Sequence, residues 1–264
     1  MHDPLSVPPG RVVIVTGGTR GLGRVIAETF LRARCTVAIC GRHAPEALPS
    51  ANGQVASFHP CDIRQADQAR AFVDAVAERH GRLDIVINNA GGSPQADAAT
   101  ASPRFSEAIV ALNLLAPLHV AQAANRIMAE QAEGGTIINI TSIAAKRASP
   151  GTAVYAAAKA GLLSLTRSLA QEWGPKVRVN AITVGLVETE QSELTYGSAA
   201  TRDAIAASLP LGRMGNGGDV AAAALYLASA GAAYVSGADL AVDGGGERPL
   251  FLEIVKQHRR DCAN

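Results

Sequence analysis

Val12-Val-Ile-Val-Thr-Gly-Gly-Thr-Arg-Gly-Leu-Gly23 decides the fold class. Residues 11–16 are rich in Val and Ile, the composition of a short buried strand. Residues 24–34 then read as a helix. Glycines between the two allow a tight turn and a close approach of main chain to a ligand. The first N–H groups of a helix lack partners and carry the positive end of its dipole, so this turn suits a pyrophosphate. A glycine-rich run by itself can be only a turn. Its place between a strand and a helix marks a dinucleotide site.

The same alternation runs outward through the chain. Strand-like runs cover 36–40, 55–59, 83–88, 136–141, 177–182 and 239–242, with 55–59 the weakest. Between them, 66–80, 105–132, 152–173 and 219–228 are helix-like. Short apolar strands separated by helices pair in parallel and are covered on both faces. The expectation is an α/β, doubly wound Rossmann fold with a mostly parallel sheet of about seven strands, its site at the carboxyl ends of the strands. No linker divides the chain, so 1–264 is expected to be a single domain. Residues 185–218 are the least regular, and within them a substrate loop is expected at about 186–216.

Composition excludes several classes of partner. With 24 Lys and Arg against 23 Asp and Glu, the net charge of +1 argues against nucleic acid. Hydrophobic residues make up 48%, ample for a core. The apolar runs are short and broken by Gly or charge, so no membrane span is expected. Residues 1–10 carry Asp3 and three prolines rather than a basic, apolar leader. Cys35, Cys40, Cys61 and Cys262 form no Cys-x-x-Cys pair and read as thiols of a reducing, cytoplasmic compartment. The six histidines lack ligand spacing, and no metal is expected.

A second stretch carries chemistry: Ser142-Ile-Ala-Ala-Lys-Arg-Ala-Ser-Pro-Gly-Thr-Ala-Val-Tyr-Ala-Ala-Ala-Lys159. Tyr155 and Lys159 are four apart, on one face of the expected helix. Ser142 follows a strand, so its hydroxyl can stand opposite the pair. A phenol is a poor acid or base near neutrality, and a fixed ammonium favours its ionised form. The set suits proton transfer at an alcohol or carbonyl oxygen. Lys146 and Arg147, also in this stretch, read as solvated loop residues.

Thr16-Gly17-x-x-x-Gly21-x-Gly23, Asn88-Asn89-Ala90-Gly91, Asn113, Ser142, Tyr155 and Lys159, in this order, resemble the short-chain dehydrogenase/reductase family over about residues 11–245. The resemblance implies an enzyme that moves a hydride between a nicotinamide and a carbonyl or secondary alcohol. It implies that Tyr155 is the general acid of reduction and the base of oxidation. Lys159 would hold the nicotinamide ribose and lower the Tyr155 pKa. Ser142 would bond the substrate oxygen, and Asn113 would hold a water linking Lys159 to solvent. For the cofactor it implies Gly17, Thr19, Arg20, Gly21, Leu22 and Gly23 at the phosphates, Asp62 and Ile63 at the adenine, and Asn89 near the adenosine ribose, with Gly91 also among the cofactor-binding residues. Val187 and Thr189 would face the carboxamide.

In NAD sites an acid about 20 residues past the glycine loop binds the ribose hydroxyls. Here the second strand ends Cys40-Gly41-Arg42, and no acid appears before Glu46. Arg42, with Arg20, could hold a 2′-phosphate by charge-assisted bonds, so NADP(H) is favoured and NAD(H) remains possible. Where the family has Asn-x-x-x-Pro-Gly, this chain has Asn180-Ala-Ile-Thr-Val184-Gly185, losing a fixed φ in the pocket wall. The C-terminal extension, 247–264, with Phe251, Leu252, Ile254 and Val255, is expected to dock on a neighbouring subunit of a homotetramer or homodimer. The expected substrate is a small carbonyl or alcohol, of the 3-oxoacyl-thioester or simple ketone kind. The alternative is a non-catalytic nucleotide sensor on the same fold.

Overall fold

The computed structural model describes residues 4–261. Cys262, at the end of the expected extension, lies outside them, as does Asp3. Seven strands form one parallel sheet: β1 Val12–Thr16, β2 Thr36–Gly41, β3 Ser57–Pro60, β4 Ile85–Asn88, β5 Gly135–Ser142, β6 Val177–Val184 and β7 Asp239–Val242. Their order across the sheet is 3-2-1-4-5-6-7. The winding reverses between β1 and β4, where the crevice at the strands' carboxyl ends opens.

The helices are α1 Gly21–Arg32, α2 Ala66–His80, α3 Pro103–Met128, α4 Ala153–Glu172, α5 Ser192–Tyr196, α6 Ala199–Ser208, α7 Gly217–Ala228 and α8 Leu250–Asp261. Every residue of β1 is buried, because both faces of the sheet are covered. On one face Ile26, Phe30 and Leu31 of α1 join Val220, Ala224 and Leu227 of α7 over Val13, Val15 and Ile39. On the other, Phe72 and Val76 of α2 and Val120, Ala124 and Met128 of α3 cover Ile14, Val86 and Ile137. Each fully buried large apolar side chain stabilises the fold by about 1.5–3 kcal/mol. Cys35, Cys40 and Cys61 are buried free thiols. Burial pushes the Cys35 thiol up to about 12.

Three local features differ from the sequence reading. The weak strand expected at 55–59 divides in two. Gln54–Val55 folds back antiparallel on Ser50–Ala51, and only Ser57–Pro60 joins the sheet. The cause is Asn52-Gly53, both with positive φ, a favoured pair for a two-residue hairpin turn. Secondly, α3 is 26 residues long and as apolar as a membrane span, contrary to the expectation of short runs. Here it is a core helix, its apolar stripe laid on the sheet. Thirdly, the irregular excursion contains α5 and α6. Its base is closed by a short parallel ladder pairing Gly215–Asn216 with Val187–Glu188.

Candidate active site

The glycine turn between β1 and α1 is shaped by steric need. A Cβ on Gly23 would lie 2.4 Å from both Asn89 Nδ2 and the Gly17 carbonyl oxygen. At Gly18, a residue that the family pattern leaves variable, it would lie 2.4 Å from Ile39 Cγ2. Gly17 and Gly21 adopt φ of +65° and +55°, which Gly reaches without strain. Asn89 fastens the turn from outside: its amide nitrogen donates to Thr16 O at 3.0 Å and Gly17 O at 3.4 Å. Thr16 Oγ1 accepts the N–H groups of both Asn89 and Ala90, each at 3.0 Å. Leu22 packs partly buried against the core.

The groups expected around the adenosine stand at the ends of β2 and β3. Thr19 lies over Gly41, where a Cβ would come 3.2 Å from its methyl. Arg20 and Arg42 are exposed. Asp62 is held by Arg64, a residue the sequence reading passed over, through Nε at 2.8 Å and Nη2 at 2.5 Å. That pairing, with a smaller contribution from Arg42, keeps the Asp62 carboxyl below its usual range. Ile63 buries its side chain in the core, so only its main chain faces outward.

Ser142, Tyr155 and Lys159 converge at the end of β5. The Ser142 hydroxyl accepts the Ala144 N–H at 3.2 Å and faces the Tyr155 phenol. One turn along α4, Lys159 is fully buried, with Nζ 5.9 Å from the Tyr155 ring centre. Nζ donates to Ile140 O at 2.9 Å. Burial lowers the Lys159 pKa to about 8. The Tyr155 phenol is raised, not lowered: burial dominates, the Ser142 hydroxyl opposes it, and the Tyr196 phenol adds to it. The loss of water around the phenol outweighs what the neighbouring groups give back.

Asn113 lies in a π-turn, Ala111–Leu115, inside α3. Such turns often occur at functional sites. Its amide donates to Gly92 O at 2.9 Å and Ile109 O at 3.0 Å, and its oxygen accepts the Gly92 N–H at 2.9 Å. Gly91 makes room for the convergence. A Cβ there would meet Asn113 Oδ1 at 2.8 Å and Lys159 Nζ at 3.0 Å. Val184, at the position of the expected proline, is the register partner of Ser142 on one side and Val242 on the other, so β6 stays paired to its last residue. Beyond it Val187 is buried, and the Thr189 N–H donates to Ser192 Oγ at 2.7 Å.

Beside Tyr155 is a crevice lined by Ser93, Ala96, Ala101, Phe105, Thr152 and Val154. It continues into an open groove of about 530 Å³ past Gln95, Asp97 and Pro150, with no Lys or Arg in the lining of either. Lys146 and Arg147 are exposed, as expected, and each also carries an ion pair, with Asp239 and Glu247 respectively, at 2.7 Å.

This turn fits a dinucleotide on two counts. The close contacts at Gly18 and Gly23 bring main chain where a side chain would stand off. The Gly21 N–H already holds an anionic oxygen, Glu190 Oε1 at 2.6 Å, which stands in for a phosphate oxygen.

A family model described as enoyl-(acyl carrier protein) reductase matches residues 17–247. A solved short-chain type dehydrogenase/reductase from Mycobacterium ulcerans superimposes with a TM-score of 0.82 at 32% identity, covering 90% of each chain. The chain belongs to the short-chain dehydrogenase/reductase family. This short-chain dehydrogenase/reductase is also 35% identical over 242 residues to the 3-oxoacyl-(acyl-carrier-protein) reductase FabG of Chlamydia trachomatis, covering 89% of this chain and 96% of that one. A 7α-hydroxysteroid dehydrogenase, solved with NADH and 7-oxo glycochenodeoxycholic acid, superimposes with a TM-score of 0.84 at 30% identity, covering 95% of this chain and all of that one. The protein is an NAD(P)-dependent oxidoreductase acting between CH–OH and C=O groups.

Proposed function

We propose that the chain is an NADP(H)-preferring reductase of an uncharged carbonyl, either a 3-oxoacyl thioester or a ketone, working in the cytoplasm as a homotetramer or homodimer. The observation that carries this reading is the meeting of Ser142, Tyr155 and Lys159 beside an apolar crevice at the end of β5. The lack of basic residues in the crevice favours a substrate without negative charge at its reacting end. NADP(H) is supported by the absence of an acid at the end of β2 and by Arg42 there, together with the neutralisation of Asp62 by Arg64. The NADH in the solved hydroxysteroid dehydrogenase keeps NAD(H) as the second reading.

A bound nicotinamide supplies or accepts the hydride. In reduction Tyr155 gives its proton to the carbonyl oxygen as negative charge develops there. Ser142 donates a hydrogen bond to the same oxygen, an interaction that strengthens as the charge grows. Lys159, poised to titrate near pH 8, can pass a proton toward Tyr155 once it leaves Ile140. Asn113 fixes the Gly92 backbone beside it and holds the relay open. Gly17, Thr19, Arg20, Gly21, Leu22 and Gly23 receive the phosphates. Arg42, Asp62, Ile63, Asn89 and Gly91 border the adenosine, and Val187 and Thr189 the carboxamide.

The deciding experiment offers NADPH and NADH with a panel of ketones, 3-oxoacyl thioesters and quinones to the wild type and to Tyr155→Phe. The phenol's loss should lower kcat by about 10²–10⁴-fold while cofactor binding persists. Turnover untouched by the change rejects Tyr155 as the acid. Tight dinucleotide binding without turnover on any substrate favours a sensor.

A further inference from the structure

Glu190 stands 169 residues from Gly21 in sequence, yet its carboxylate accepts the N–H that opens α1 at 2.6 Å. Arg20, the N-cap of that helix, offers no side-chain cap, and the first turn has no acid of its own. The donor and the dipole are therefore satisfied from the excursion between β6 and α7. Other polar groups of the same stretch are also bonded within it. The N–H of Thr189 goes to Ser192 Oγ, and Thr189 Oγ1 accepts the N–H of Gln191 at 3.2 Å. The stretch is pinned at one end by the ladder of Val187–Glu188 with Gly215–Asn216. At the other end is Gly197, at φ +81° and ψ −151°, a conformation essentially confined to glycine.

We propose that residues 187–196 form a competitive strap, in which Glu190 occupies the place of a phosphate oxygen on the α1 N-terminus and must be lifted for a dinucleotide to bind. This rests on the nicotinamide-enzyme reading above and adds to it a conformational cost set by one carboxylate. A carboxylate and a pyrophosphate seek the same thing at a helix start, a partnerless N–H and positive potential. They cannot share one donor, and their charges repel. The segment expected to contact the nicotinamide is thus folded on itself while Glu190 is seated, and becomes available when Glu190 leaves. The apparent affinity for cofactor is the intrinsic affinity reduced by the fraction of molecules with the strap released.

The test is calorimetric binding of NADPH, ADP-ribose and adenosine 2′-monophosphate to the wild type, Glu190→Gln and Glu190→Ala, with hydrogen–deuterium exchange across 186–197. Both variants should bind NADPH and ADP-ribose about three- to tenfold more tightly. They should bind the monophosphate, which lacks a pyrophosphate, as the wild type does. The strap should exchange faster in the variants before any ligand is added. Equal or weaker NADPH binding in both variants, at unchanged unfolding temperature, overturns the proposal and leaves the enzyme reading standing. An equal gain for the monophosphate also overturns it, since the effect would then be one of general charge. No dinucleotide binding by any of the three proteins overturns both.

Discussion

Nζ of Lys159 on α4 donates to the main-chain carbonyl of Ile140 on β5 at 2.9 Å, out of reach of water. This is one bond for a group with three donors. Burial therefore holds its pKa at about 8 against an ordinary 10.5. The folded protein binds fewer protons here than the unfolded chain between those two values, so stability rises with pH across that window. It is lost as pH falls through about 8. In Lys159→Met this slope should vanish. Denaturant unfolding of both proteins from pH 7 to pH 10 should show the wild type gaining on the variant as pH rises. A constant difference would mean that the ammonium is better solvated than its burial implies.

Gly23→Ala should be among the most damaging single-methyl additions in the chain. The new Cβ would fall 2.4 Å from a main-chain oxygen, which cannot rotate away, and as close to the Asn89 amide that clamps the turn. A cost of about 1–3 kcal/mol in stability is expected from overpacking of this kind. Cofactor affinity should fall with it, because relief requires moving the turn off Asn89. A variant with wild-type unfolding and wild-type NADPH binding would count against the close-packed turn.

Arg42→Asp should reverse the cofactor preference. The substitution removes a charge-assisted partner for a 2′-phosphate and places a carboxylate at the end of β2, where it can bond ribose hydroxyls. The ratio of kcat/KM for NADPH over NADH should fall by about 10–100-fold, the equivalent of one such bond. An unchanged ratio would move the phosphate contact to another cation, with Arg20 the first to test.

Truncation after Gly246 should reduce assembly. Along α8, Leu250, Phe251, Leu252, Ile254 and Val255 are all more than 40% exposed, an apolar face left open among the described residues. Just ahead of the helix, Glu247 pairs with Arg147 at 2.7 Å. Light scattering of the shortened chain should report a smaller species. Unchanged assembly would show that the helix is not a subunit contact.

The fold was legible because its signals are local. Runs such as Val12–Thr16 and Val177–Val184 carry strand composition within themselves, and the glycine turn announces the first crossover. The hairpin at Asn52-Gly53 was equally local and was overlooked, though the dipeptide is a strong turn signal. At the site, Ser142, Tyr155 and Lys159 could be placed from spacing and family order. What escaped was set by partners far away in sequence. Asp239 took Lys146 and Glu190 reached Gly21, whereas Arg64, which took Asp62, stands only two residues from it. Nor could the direction of the Tyr155 shift be read from a nearby Lys, since it depends on how much water the fold removes.

The three thiols sealed in the interior supply a built-in clock for opening of the molecule. Cys35 and Cys40 lie on opposite faces of the sheet, and Cys61 shares the core of Cys40. An alkylating reagent can modify either core only while that core is exposed. In a Cys262→Ser background, the rate at which each sulfur is capped would therefore time how often each side of the sheet comes apart. Matching rates would mean that the two layers separate together, and unequal rates would name the one that yields first.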